Sequence, residues 1–583
     1  MIKKLSVFSI FMILVLALSA CGPSATTAPE AEKPAAEVPA TAVPTTEVPA
    51  VEPTAEAPVE EVGPYILRVG VSQSISSLNP VFSILASEGR VFRMVYEYMF
   101  LLNLESKYEP YLAESWTTSE DGKTWVYQIH NASIFHDGTP LTAEDVAYSL
   151  MLYKSREDSA AYGQAQFFES VTATGDYEVT IVLTDPLPNL ADKLANLPIL
   201  PKHIWEPLGT GDDLKNFTNA EMIGSGPFKF TEFKKGEFVR MTANKEHWLY
   251  PPNVDEVIYQ EFTNEDAELQ ALLTGQIDAV MSIPLTAYNT VKNTENVAVL
   301  AGLPATPHVA DIILNGIDPV NCPEDYKSTC GGHPALRDVE VRKALNYGTD
   351  KQKIIDVTLM GLADPGVTLV PSGTEWFNTE IQDYLFDIAK ANEILDNAGY
   401  KDTDGDGVRQ MPDGTNPLIF DVNFETDCNT CPREAELMNE TYTQIGVQLV
   451  VAAMEGDALI DFCNPRFEHD IILWGWVGEP DPDFMLSIAT TAQIVGWNSE
   501  SGYSNPEYDA LYDQQAVEMD HNKRLELVWQ MQEILVRDVV YIIPYYDQYV
   551  YAVRTDKYEG WPLEYKMVYP DYMKTFATIK PIQ

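Results

Sequence analysis

The sequence predicts an α/β protein, and three observations carry that reading. Strand-like and helix-like segments alternate from Pro64 to the end of the chain, with no tandem repeat. Tyr65-Ile-Leu-Arg-Val-Gly-Val71 reads as a strand. Thr142-Ala-Glu-Asp145 has the spacing of a capping box ahead of Val146, Leu150 and Leu152, so a helix starts there.

The remaining elements follow in order. Residues 265–274 form a helix stopped by Gly275, and a short strand occupies 276–281. Residues 387–398 place Ile388, Ala389, Ile394, Leu395 and Ala398 on one face and end at Gly399. Asn505-Pro506 supplies an N-cap and a first-turn proline for a helix over 507–519. A second helix, about 522–536, precedes an aromatic strand over 540–553.

At 583 residues the chain exceeds one hydrophobic core, so at least two domains are expected. Its 45% hydrophobic and 21% charged residues describe an ordinary globular protein. The 87 acids against 38 Lys+Arg give a net charge of −49, which repels nucleic acid and anionic headgroups. A polyanion-binding role is thereby excluded for the bulk of the molecule. Eight His and six Cys leave little material for a multi-metal protein.

Lys3 and Lys4 precede an apolar run over 7–18, shorter than the roughly 20 residues of a membrane span and suited to a signal-peptide core. The run ends in Leu18-Ser19-Ala20-Cys21, which looks like a bacterial lipobox. Residues 1–20 are therefore expected to be a signal peptide, with Cys21 lipidated. The plainer alternative is a secretory signal with an incidental Cys. From 21 to 62 the chain is built of Ala, Pro, Thr, Glu and Val, with a proline every four or five residues, and reads as an extended tether.

Family resemblance enters at Pro110-Tyr-Leu-Ala-Glu-Ser-Trp116, Asp121-Gly122-Lys-Thr-Trp125 and Phe135-His-Asp-Gly-Thr-Pro-Leu-Thr-Ala-Glu-Asp-Val146. Gly224-Ser-Gly-Pro-Phe228, residues 244–248, Gly275-Gln-Ile-Asp278, Val341-Arg-Lys-Ala-Leu345 and Ser504-Asn-Pro-Glu-Tyr-Asp509 follow in order. Together they resemble the extracellular family 5 solute-binding proteins, the peptide-binding components of ABC importers. The resemblance implies a class II-type periplasmic binding protein fold, with two main lobes around a hinge plus an inserted third domain. Domain I would comprise 63–106, 226–316 and 545–583, domain II the insertion 107–225, and domain III 317–544. It further implies a monomeric, non-enzymatic lipoprotein, anchored outside the bacterial cell membrane, that captures peptides and delivers them to membrane permease subunits. No cofactor is required for that role.

The same resemblance points to ligand residues. Strand and turn 470–484 contain Trp474, Trp476, Val477, Gly478, Glu479 and Asp481. In peptide-binding relatives the matching turn gives backbone hydrogen bonds and a carboxylate for the peptide ammonium. Glu479 falls where the family has Asp, in a turn one residue shorter, and Asp481 is the alternative carrier. Glu479 could instead simply cap the turn. Ser83, Ile84, Leu85 and Ala86 match the segment whose backbone pairs with bound peptide as an added strand; an ordinary core loop is the alternative. No cation for a peptide carboxylate is identifiable. Trp474, Trp476, Trp497 and Trp376 keep an oligosaccharide-binding alternative open, since sugar rings stack on indole, although such residues are more often core.

Asp402, Asp404, Asp406, Val408 and Asp413 reproduce the spacing of an EF-hand loop, which raises a structural Ca²⁺. Arg409, Pro412 and the short Asp413 depart from that pattern, and an Asp/Gly-rich turn is the alternative. Cys322 and Cys330 are candidates for a disulfide outside the cytoplasm. Cys428, Cys431 and Cys463 leave one thiol over, with their pairing open. A secreted hydrolase is the rival class, but HExxH, GxSxG and SxxK are absent. A ligand-sensing lipoprotein is a third reading.

Overall fold

Strand Ile66–Val71 runs through the middle of a seven-stranded mixed sheet. It pairs in parallel with Glu256–Glu261 on one side and with Ala279–Val280 on the other. Phe238–Ala243 and Phe228–Lys234 extend the first side; Tyr549–Arg554 and Val297–Gly302 extend the second. The computed structural model describes residues 63–83, 85–304, 307–496, 498–563 and 573–582. The expected signal peptide, Cys21, the tether, Ile84 and Trp497 lie outside these residues.

The insertion has its own antiparallel sheet, in the order Ala113–Thr118, Thr124–Ile129, Glu178–Leu183, Phe168–Gly175. Helix Ala143–Lys154 covers it and opens on the predicted capping box, with the Thr142 amide donating to Asp145 Oδ2 at 2.9 Å. Such reciprocal bonds satisfy amides that the first helical turn leaves without partners.

A second sheet is ordered Ala363–Pro365, Tyr545–Asp547, His308–Leu314, Ile471–Val477, Ile419–Glu425, Gln448–Met454, with Tyr541–Ile542 also pairing His308–Leu314. Its central strands are buried on both faces. Ile312 and Leu314 join Ile471 and Leu473 in one apolar cluster, while Val309 and Ile313 join Ile472 in another. Alternate side chains point to opposite faces of a strand, so an apolar run such as Ile471-Ile472-Leu473 requires cover on both.

The chain crosses between the two large sheets between Gly302 and His308, and again between Asp547 and Tyr549. His308–Leu314 and Tyr545–Asp547 thus belong to the second sheet. His308 Nδ1 meets Asp547 Oδ2 at 2.8 Å, joining the residues beside both crossings.

The helices match expectation closely. Asn264 caps Glu265–Leu273 by accepting from Ala267 N, and Asp387 caps Ile388–Ala398 by accepting from Lys390 N. Gly399 ends that second helix at φ 88°, a left-handed conformation. The predicted 507–519 and 522–536 become Pro506–Gln515 and His521–Asp538. Two strand expectations fail. The 276–281 strand contracts to Ala279–Val280, and 540–553 breaks into three strands shared between two sheets. Pro544 has no amide to continue a ladder there.

Gly475 is required by a close approach. A Cβ there would lie 2.3 Å from the His308 ring. Gly475→Ala is expected to force His308 aside and cost roughly 1–3 kcal/mol, the usual range for overpacking a filled site; urea denaturation followed by circular dichroism measures it.

Candidate ligand-binding site

Helix Ala86–Val95, the insertion and the turn after strand Ile471–Val477 enclose a cavity of about 530 Å³. Arg90 and Arg93 line it from the helix, Tyr108, Asp192 and Asn196 from the insertion, and Val477 to Pro480 from the turn. The strand is buried at Ile471–Leu473 and surfaces at Val477. Gly478 N donates to Pro307 O at 2.9 Å, and then Pro480 and Pro482 end the ladder.

Asp481 anchors this turn. Its carboxylate accepts Arg524 Nη1 at 2.5 Å and Nη2 at 2.8 Å, and its own chain through Asp483 N at 3.0 Å. Asn189 Nδ2 of the insertion reaches it at 3.3 Å. Arg524 lies 4.8 Å over the Trp376 ring, so the pair is enclosed. Asp481 therefore departs from its expected place as an alternative ammonium receptor: its oxygens already hold a buried guanidinium.

Glu479 differs in every respect. It lines the cavity, is half-buried, and has Lys193 Nζ at 3.8 Å. Burial pushes its carboxyl up to about 7; Lys193 opposes this, while Asp192, Asp481 and Asp483 add to it. Lys193 sits 2.9 Å from Asp192, whose other oxygen accepts the Tyr108 hydroxyl at 2.5 Å. Burial works against the Lys193 charge, but Asp192 and Glu479 outweigh it and raise its pKa. Burial and the neighbouring Asp481 likewise raise Asp483. On this side of the cavity Asp192 and Glu479, both desolvated, share Lys193 as their cation within 4 Å, with Arg90 and Arg93 on the facing helix.

The segment expected to pair with a peptide strand leads into helix Ala86–Val95. Ser83 N donates to Asn79 O, and its hydroxyl donates to Glu88. Leu85 is the N-cap of helix Ala86–Val95, its carbonyl taken by Glu88 N and Gly89 N. Ala86 alone of the described members lines the cavity. Leu85 keeps an extended backbone, at φ −88° and ψ 136°, and Glu88 gathers Ser76, Ser77 and Ser83 around it.

Among the described residues, no tryptophan lines this cavity. Trp474 is half-buried against the second-sheet core. Trp476 donates its indole N–H to Glu500 Oε2 at 2.8 Å and meets Phe484 edge to face. Glu500 is pushed up to about 8 by burial, and Asp311, buried beside it, is raised for the same reason. Trp376 is covered by Arg524 and by His521 at 4.9 Å.

The pattern of the bacterial extracellular solute-binding proteins, family 5 Middle, matches residues 107–496. The chain belongs to this family. The oligopeptide-binding protein AppA of Bacillus subtilis is 26% identical over 552 residues, covering 93% of each chain. The dipeptide-binding protein of Escherichia coli is 26% identical over 453 residues, covering 73% of this chain and 78% of its own. The ABC transporter substrate-binding protein CtaP of Listeria monocytogenes matches in structure with a TM-score of 0.74 at 25% identity, over 88% of this chain and 99% of its own. This family 5 protein accordingly has the lobed α/β fold and is a solute-binding protein, not an enzyme.

Away from the cavity, the carboxylates of Asp402, Asp404 and Asp406 gather within 4.8 Å on an exposed loop. The other two expected Ca²⁺ ligands are directed elsewhere. Val408 O accepts Gln410 Nε2 at 2.9 Å, and Asp413 accepts Thr415 N at 2.9 Å. Gly405 N and Gly407 N bond Asp402, so the loop is tied by its own amides. Cys322–Cys330 and Cys428–Cys431 are disulfides, and Cys463 is a buried thiol.

The turn motif in the sequence points to Glu479, whereas Lys193, Asp192, Tyr108 and Arg524, which the fold brings near it, carry no local signature. Arg524→Leu is expected to destabilise the protein by about 3–5 kcal/mol, since it strands a buried carboxylate. Adding Asp481→Leu recovers much of that loss; chemical denaturation of both variants checks the pair.

Proposed function

We propose that this family 5 protein is the lipid-anchored, extracytoplasmic receptor of an ABC importer, capturing short peptides and delivering them to a membrane permease. The observation that carries the reading is Glu479, a half-buried carboxylate at the cavity whose nearest ion-pair partner among the described residues is Lys193 at 3.8 Å. A peptide ammonium supplies a closer cation, and charge-assisted bonds of this kind are the strong ones. The names of the Bacillus and Escherichia relatives, oligopeptide-binding and dipeptide-binding, support the same ligand class. A volume of about 530 Å³ suits a compact ligand. Ligand contacts to the helix on one side and the turn on the other favour a state in which the lobes are closed.

Calorimetric titration with an alanine series from dipeptide to pentapeptide tests the reading. Free-amine peptides are expected to bind, and N-acetylated forms and maltotriose are not; the reverse preference overturns it. Glu479→Gln should weaken the tightest member by about 2 kcal/mol or more. It is the cleaner variant, because Asp481→Asn would also remove the partner of Arg524.

The sign of the pH dependence follows from Glu479. Its protonated form predominates below about 7, so ammonium binding there expels a proton. Affinity should fall by up to about tenfold per pH unit below that point and level off above it, until the peptide amine itself deprotonates near ~8. Titrations in buffers of different ionisation enthalpy detect the released proton.

The anchor has a separate test. Cys21→Ser should move the protein from the membrane fraction to the soluble extracytoplasmic fraction without changing peptide affinity; an unchanged membrane fraction overturns the anchor.

A further inference from the structure

Beside the proposed ammonium receptor stands a cation from the insertion. Lys193, on helix Leu190–Ala195, is 8% exposed, and Asp192 beside it is 2% exposed. Its Nζ lies 2.9 Å from Asp192 Oδ2 but 3.8 Å from Glu479 Oε2. The lysine is close to one carboxylate and more distant from the other. We propose that Lys193 is the resident counter-ion of Glu479, which a ligand ammonium displaces, so that the inserted segment sets the charge a ligand must bring. This rests on Glu479 as the ammonium receptor.

The charges around Glu479 favour such an exchange. From its own turn and the helix that follows come Asp481 and Asp483. Asp481 is balanced by Arg524 in a two-bond pair. From the insertion come Asp192, Lys193 and the Tyr108 hydroxyl, the last committed to Asp192. Across the cavity stand Arg90 and Arg93, the latter turned to Ala195 O and Asn196 Oδ1. Among the described residues, Asp192 and Glu479 share one lysine within 4 Å, one cation for two carboxylates in direct reach, and the two arginines stand on the far wall. A single ligand ammonium completes the set and leaves Lys193 wholly to Asp192. A neutral ligand end would leave the two carboxylates sharing it.

The test uses the full chain, with the tightest-binding peptide of the alanine series and its N-acetyl form as probes. Calorimetry from pH 5.5 to 8 compares wild type, Lys193→Gln, Lys193→Met and Lys193→Arg. Without the lysine charge, the midpoint of the affinity profile for the free amine should move up by about one pH unit. More proton should then be released on binding at pH 7.5, and Lys193→Arg should keep the wild-type midpoint. An unmoved midpoint in the neutral variants overturns the inference. If they do not fold, the wild-type chain decides: ¹³C-dimethylated Lys193, assigned by its loss in Lys193→Arg, should shift with the free-amine peptide and not with the acetylated one. No shift overturns the inference. Wild type lacking both free-amine preference and proton release fails the receptor reading itself, whereas wild type showing both beside unmoved variants fails only Lys193.

Discussion

The two-bond ion pair between Asp481 and Arg524 is the constraint on which the cavity depends. Asp481 is 5% exposed and Arg524 2%, so neither ion is solvated by water. Such a pair is tolerable only when its geometry is good and its remaining atoms are bonded. Here Gln515 takes the guanidinium Nε, and the Asp483 amide and Asn189 take the carboxylate. The turn is thus pinned just past Glu479, which faces the cavity with a loosely engaged carboxylate. A fixed neighbour makes a responsive group possible.

The same turn is joined to the chain crossings. Gly478 bonds Pro307, Gly475 makes room for the His308 ring, and His308 meets Asp547. One short stretch of strand therefore touches the place where the chain first leaves one large sheet for the other, and through His308 the place where it returns. Position at the cavity and position at the crossings are held by neighbouring residues of one strand.

Features that act within a few residues were legible in the sequence. The capping box at Thr142, the cap at Asn505 and the stop at Gly399 all stand where the residues imply. The aromatic stretch over 540–553 was not, because its division depends on two sheets whose other strands lie far away in the chain. Glu479 and Asp481 look alike in sequence, and only Arg524, distant in the chain, separates them. Lys193 sits in an unremarkable Asp-Lys-Leu helix, and its meaning comes entirely from what folding brings opposite.

Trp476 has a practical consequence. Its indole N–H is bonded to the buried carboxyl of Glu500, and three residues further along the same chain is Glu479. An indole held against a carboxyl emits according to that bond and to the polarity around it. Trp476 thus places an emitting group at the end of the strand that shapes the cavity. A disturbance there, whether by solute, acid or mutation, can be followed as the difference in emission between the protein, with its ten tryptophans, and a Trp476→Phe variant.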